Sequence, residues 1–86
     1  MSNVPGLALY QYMSCMFCAR VRAAIDDLGV EIELRDTRMN PDFADEVFDA
    51  TGRPTVPVLR IESEDGAVQW MPESGDIIAY LQDRFA

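Results

Sequence analysis

The sequence predicts an α/β domain of order β-α-β-α-β-β-α, a four-stranded mixed sheet with helices on both faces. Three observations carry that prediction. The apolar positions switch repeatedly between a period of two and a period near 3.6. Helix-start and helix-stop residues fall where the period changes. An Asp-Gly pair joins the last two extended runs.

Leu7-Ala8-Leu9-Tyr10-Gln11-Tyr12 is a short apolar and aromatic run with strand character, ending at Met13-Ser14. Phe17, Val21, Ala24, Ile25 and Leu28 then fall on one helical face, with Ser14 as the expected N-cap and Gly29 as the stop. Arg22 and Asp26 are spaced to pair along that helix. Val30-Glu31-Ile32-Glu33-Leu34 alternates apolar and acidic residues and reads as the second strand. Asn40-Pro41 supplies a cap followed by proline at the first helical position. Phe43, Val47 and Ala50 line the second helix, which Gly52 closes. Val56 to Ile61 and Ala67 to Met71 are the last two strands, joined through Asp65-Gly66. Ile77, Ile78, Leu81 and Phe85 mark the final helix. The first β-α-β unit makes its strands parallel with a right-handed crossover. The closing hairpin makes the sheet mixed.

With 86 residues the chain is expected to form one domain, residues 1–86. Its composition, 49% hydrophobic and 26% charged, belongs to a soluble globular protein. A net charge of -8 opposes nucleic acid and anionic lipid as partners. No apolar run has membrane-spanning length, and Met1–Leu9 carries no secretory-signal pattern, so a cytoplasmic location is expected. The chain contains no histidine, which removes His-dependent triads and the usual zinc ligand.

Cys15 and Cys18 are the only cysteines, and they stand where the first strand hands over to the first helix. The N-terminus of a helix stabilises an anion, and the thiolate is the form that attacks a disulfide. The two-residue spacer makes Cys15 the exposed nucleophile and Cys18 the partner that closes a disulfide with it. A bridge between residues so close in sequence constrains the unfolded chain very little, which argues against a purely structural disulfide. Two cysteines without histidine leave a tetrahedral zinc site half empty, and no metal is expected. Two inert, buried cysteines are the remaining structural alternative. The C-x-x-C within a β-α-β pattern favours redox chemistry.

From Leu7 to Phe85 the chain resembles the glutaredoxin family of the thioredoxin fold. The resemblance rests on strand–Cys15-Met16-Phe17-Cys18–helix, on Thr51-Gly52-Arg53-Pro54-Thr55-Val56-Pro57, and on Glu73-Ser74 before the last helix. It implies that Pro57 is a cis-proline opposite Cys15, and that the Val56 backbone meets the cysteinyl part of glutathione or a substrate strand. Glu73-Ser74 looks more like the glutathione-binding end of glutathione transferases. Ser74 reads as an N-cap whose hydroxyl and amide hold a carboxylate. The resemblance makes that carboxylate the γ-glutamyl end of glutathione, with Glu73 able to pair with its amino group.

The chain also departs from the family pattern. Met13 and Tyr12 occupy the positions where many glutaredoxins carry a lysine for the glycyl carboxylate, and Pro54 replaces the basic residue before Thr-Val-Pro. Arg53 or Arg38 is left to substitute. Met16-Phe17 replaces the common Pro-Tyr spacer. Tyr10 and Tyr12 share a face of the first strand, so at least one is expected in the core, and Trp70 is expected to serve packing.

The leading expectation is a glutathione-dependent thiol–disulfide oxidoreductase acting on protein disulfides or glutathionylated proteins. Glutathione would be its co-substrate, with no tightly bound cofactor, and a monomer is expected. The alternatives are a glutathione-binding, transferase-like module and an iron–sulfur cluster carrier in which two chains share Cys15 ligation.

Overall fold

The computed structural model describes residues 3–86, so the first two residues of the expected 1–86 domain lie outside it. The elements are β1 (Leu7–Gln11), α1 (Met16–Leu28), β2 (Glu33–Asp36), α2 (Pro41–Thr51), β3 (Val58–Glu62), β4 (Val68–Met71) and α3 (Ser74–Phe85). Their order is the one the sequence predicts. The four strands lie in the order β2-β1-β3-β4. β1 runs parallel to β2 and antiparallel to β3, and β3 runs antiparallel to β4.

β1 is central and covered on both faces, which explains why it reads as an unbroken apolar run. Its side chains still alternate. Leu7 and Leu9 join Val21, Ile25, Leu59, Ile77 and Leu81 beneath α1 and α3. Ala8 and Tyr10 join Val47 and Val58 on the α2 side, with Phe43 and Trp70 packed against them. Tyr10 is the core tyrosine, and its ring meets Phe43 edge-on at 5.9 Å and Trp70 at 5.3 Å. Trp70 therefore serves packing, as expected.

Several boundaries differ from the sequence reading, each for a physical reason. β2 begins at Glu33, because its ladder to β1 opens at Ala8↔Glu33 and closes at Gln11↔Asp36. The alternation at 30–34 reports burial of a connector instead. Ile32 lies in the core with Val30 against it, while the Glu31 carbonyl takes the Val4 N–H at 2.7 Å. Leu34, read as inward, is exposed. β3 begins at Val58, since Pro57 has no N–H to give the ladder. Ala50 is exposed, leaving Val47 as the buried residue of α2.

The helix caps follow the sequence at Gly29, Asn40 and Gly52. They differ at two places that matter for function. Cys15, not Ser14, caps α1, while the Ser14 hydroxyl accepts from Arg38 at 3.0 Å. Glu73, not Ser74, is the N-cap of α3, and its side chain makes no capping bond. Arg22 turns away from Asp26 and donates to the Gln11 side chain.

Gly6 sits at φ +81 where the chain enters β1, and its carbonyl takes the Glu62 N–H at 2.7 Å. A Cβ there would lie 2.3 Å from the Glu62 carbonyl oxygen, so only glycine lets the two backbones meet.

Candidate functional site

Three chain segments meet at one end of the sheet: the N-terminus of α1, the loop entering β3, and the N-terminus of α3. Each arrives there for a local reason. The strand character of β1 stops at Gln11, and a tight turn brings the Cys15 N–H to the Tyr12 carbonyl at 3.2 Å. The Cys15 backbone is extended while its sulfur accepts the Cys18 N–H at 3.2 Å, so the sulfur itself caps the helix. Thr51 ties the end of α2 to the next loop: its hydroxyl lies 2.8 Å from the Val47 carbonyl and 3.1 Å from the Arg53 carbonyl. The loop then reaches the Val56–Pro57 peptide bond, which is cis.

That loop brings the Val56 carbonyl to 3.9 Å from the Cys15 sulfur, which donates to it across the gap between α1 and β3. The spacing made Cys15 an exposed nucleophile, but it is buried, at 8% exposure, because its sulfur turns inward to cap α1 and meets the Val56 carbonyl. Cys18 is fully buried, and both are free thiols. Burial pushes the Cys18 thiol up to about 12, and contact with Cys15 adds to that shift. The Tyr12 backbone and the positive charge of Arg22 act in the opposite direction. Cys18 is accordingly held protonated near neutral pH.

Beside this pair lies a groove of about 380 Å³. Val56, Pro57, Glu73 and Ser74, all singled out from the sequence, line it together. Its remaining walls come from Phe17 on α1, Thr51 at the end of α2, Arg53 and Thr55 in the loop, and Pro72 before α3. The first-turn N–H groups of α3 lack intrahelical partners, the arrangement that favours an anion at a helix start.

Periodicity placed Phe17 in the core, yet it is 55% exposed and forms a wall of the groove. Its place in the first turn of α1, at the end of the helix that opens on the loop before β3, was the available signal. Arg38 and Arg53, the two cations left to replace the missing lysine, separate clearly. Arg38 stacks over Tyr12 at 3.9 Å and donates to Ser14, whereas Arg53 faces the groove. Among the described residues no group of three or more Cys, Asp or Glu side chains converges as a metal site. No helix among them is long and apolar enough to cross a membrane.

Residues 9–86 match the family described as "Glutathione S-transferase, N-terminal domain". Prostaglandin E synthase 2 of Mus musculus is 33% identical over 82 residues, covering 95% of this chain and 20% of that protein. Leishmania TDR1, described as a unique trimeric glutathione transferase, superposes with a TM-score of 0.77 at 28% identity, over 93% of this chain and 18% of its own. A maleylacetoacetate isomerase from Anaeromyxobacter dehalogenans 2CP-1, with GSH bound in its active site, superposes with a TM-score of 0.70 at 26% identity. That overlap covers 92% of this chain and 37% of the isomerase. The chain thus spans 20% of the curated relative's length and 18% to 37% of these two solved chains.

Proposed function

We propose, from the premise that the chain belongs to the glutathione S-transferase N-terminal domain family, that it binds glutathione in this groove and exchanges disulfides through Cys15. The family agrees with the resemblance carried by Glu73-Ser74. The Cys15–Cys18 pair supports the further step from glutathione binding to thiol–disulfide exchange. One observation carries this reading above the others. The Cys15 sulfur and the Val56 carbonyl lie 3.9 Å apart beside the groove. The attacking sulfur is thus next to backbone that can pair with a cysteinyl residue.

Glutathione would lie with its cysteinyl backbone along Val56 and its γ-glutamyl end at Glu73, Ser74 and the open amides of α3. Arg53 is the cation for its glycyl carboxylate. The Cys15 thiolate attacks the protein-side sulfur or the glutathione sulfur of a mixed disulfide, and the displaced thiolate leaves. When glutathione stays on Cys15, a second glutathione thiolate can attack the glutathione sulfur, releasing glutathione disulfide and the Cys15 thiolate. Alternatively Cys18 loses its proton to solvent and attacks the Cys15 sulfur, which forms the Cys15–Cys18 disulfide and releases glutathione. Two further glutathiones return the pair to dithiols.

A second reading is favoured by the two solved relatives, which are described as a glutathione transferase and an isomerase. In that reading the chain supplies the glutathione site, and chemistry occurs on an electrophile held by other parts of a longer protein. Glutathione-dependent reduction of hydroxyethyl disulfide, compared among the unchanged protein, Cys15→Ser and Cys18→Ser, separates the two. Loss with Cys15→Ser and persistence with Cys18→Ser supports exchange through Cys15. Glutathione binding that survives Cys15→Ser, with no reductase activity in the unchanged protein, supports the transferase reading.

A further inference from the structure

Gln11 is buried to 2% exposure at the end of β1, where a polar side chain requires a partner. Arg22 supplies it, donating one guanidinium nitrogen to the Gln11 side-chain oxygen. The same nitrogen lies 3.4 Å from the Tyr12 carbonyl, and the second lies 3.3 Å from the Met13 carbonyl. One half-buried guanidinium thus spans three consecutive residues of the turn that delivers Cys15. The Tyr12 carbonyl in that turn also accepts the Cys15 N–H at 3.2 Å. Arg22 stands four residues after Cys18 on α1, one helical turn away on the same face.

We propose that Arg22 is the positioning residue of the dithiol pair, locking the Tyr12–Met13 turn onto α1 and presenting the cation that faces Cys18 when Cys18 becomes the attacking sulfur. This rests on the exchange chemistry proposed above and assigns its resolving step to a residue outside the groove. Two physical requirements meet in this one side chain. The resolving sulfur is fully buried, so a thiolate forming there gains from a nearby fixed cation far more than it would in water. The turn must also hold Cys15 at a constant place relative to Cys18, because displacement at sulfur needs the two atoms in line. A planar fork meets three acceptors at once, which an ammonium on a flexible stem does not.

The test uses dithiobis-nitrobenzoate, whose chemistry needs no glutathione site. Cys15 attacks the reagent and releases one nitrothiobenzoate. Cys18 then loses its proton to solvent, attacks the Cys15 sulfur and releases the second as the Cys15–Cys18 disulfide forms. Stopped-flow absorbance resolves the two releases. Arg22→Gln slows the second release by about tenfold and leaves the first within about twofold, because only the second needs a thiolate at the buried sulfur. Arg22→Lys recovers part of the second rate, by roughly threefold, since it keeps the charge but not the fork. An unchanged second release in Arg22→Gln overturns the proposal and leaves the dithiol reading intact. Equal slowing of both releases, together with a lowered thermal midpoint, assigns Arg22 to stability alone and also overturns it. Absence of any second release in the unchanged protein overturns the dithiol reading and this proposal with it.

Discussion

The sulfur of Cys15 accepts the backbone N–H of Cys18 at 3.2 Å, so the residue proposed to attack is also the residue that caps its helix. Chemistry and local stability are therefore separable by the choice of substitution. Cys15→Ser keeps an acceptor at the N-cap, and serine is among the preferred capping residues. Cys15→Ala removes it. Both variants lose disulfide exchange, while Cys15→Ala unfolds more easily than Cys15→Ser by about 0.5–2 kcal/mol in urea titration. Equal stability of the two variants would show that the sulfur contributes nothing as a cap.

The buried Cys18 makes stability pH-dependent on the alkaline side. Its folded pKa is pushed up to about 12 by burial and by Cys15. In the unfolded chain a cysteine titrates near about 8.5. Between those values the unfolded state has released a proton that the folded state still holds, so stability falls as pH rises. The urea midpoint of the reduced protein is expected to drop steadily from pH 8 upward, and Cys18→Ala to flatten that slope. Tyr10, whose pKa burial also raises, adds a further decline at still higher pH.

The hydroxyl of Tyr10 links two charged side chains on the α2 face. Arg35 donates to it at 2.6 Å, and it donates to Glu46 at 3.0 Å. Glu33 binds the other side of the Arg35 guanidinium at 2.5 Å. Tyr10→Phe keeps the ring packing against Phe43 and Trp70 but removes both bonds. It is expected to cost about 1–3 kcal/mol, since both partners are charged. Arg35→Met in the Tyr10→Phe background should then cost less than Arg35→Met alone, and strictly additive losses in this double-mutant cycle would disprove the linkage.

The close approach at Gly6 gives a stability prediction of a different kind. Gly6→Ala needs a positive φ and places a Cβ 2.3 Å from the Glu62 carbonyl oxygen. The entry to β1 must shift away from the end of β3. The expected loss exceeds about 1 kcal/mol. Gly66, at φ +89 with open space around it, should tolerate alanine better, at the cost of backbone strain alone. A Gly66→Ala variant less stable than Gly6→Ala would contradict this account.

Element order was legible because helix stops, helix starts and the hairpin turn are local signals. Gly29, Asn40-Pro41, Gly52 and Asp65-Gly66 each act through their own backbone geometry. The start of β2 was not legible. Ile32 alternates because it is buried, whereas the ladder begins where β1 happens to lie, and that is set by the crossover. At the site, Cys15, Val56, Pro57, Glu73 and Ser74 could be named because their motifs are contiguous. The convergence of Val56, Pro57, Glu73 and Ser74 on one groove with Phe17 and Arg53, and the contact of Cys15 with Val56 beside it, depend on three segments meeting in space. Arg22 carried an i, i+4 partner in sequence and took a different one across a turn, because a buried Gln11 has greater need of it.

Arg53 and Arg38 were equal candidates in sequence for holding the glycyl carboxylate of glutathione, and the structure makes them testably unequal. Arg38 is already engaged with the Tyr12 ring and the Ser14 hydroxyl. Arg53 lines the groove, and among the described residues no carboxylate forms a salt bridge with it. A charge-assisted bond to a bound carboxylate therefore costs Arg53 no existing ion pair. The bond would form equally in the ground and transition states, so its loss should appear in KM and not in kcat. Arg53→Gln is expected to raise the KM for glutathione by about five- to tenfold at low salt, and by less as salt screens the ion pair. Arg38→Gln should leave that KM within about twofold, because its contacts lie with Tyr12 and Ser14 instead. The opposite pattern, with KM rising only in Arg38→Gln, would move the carboxylate site to the other side of Cys15 and reverse the orientation of glutathione proposed here.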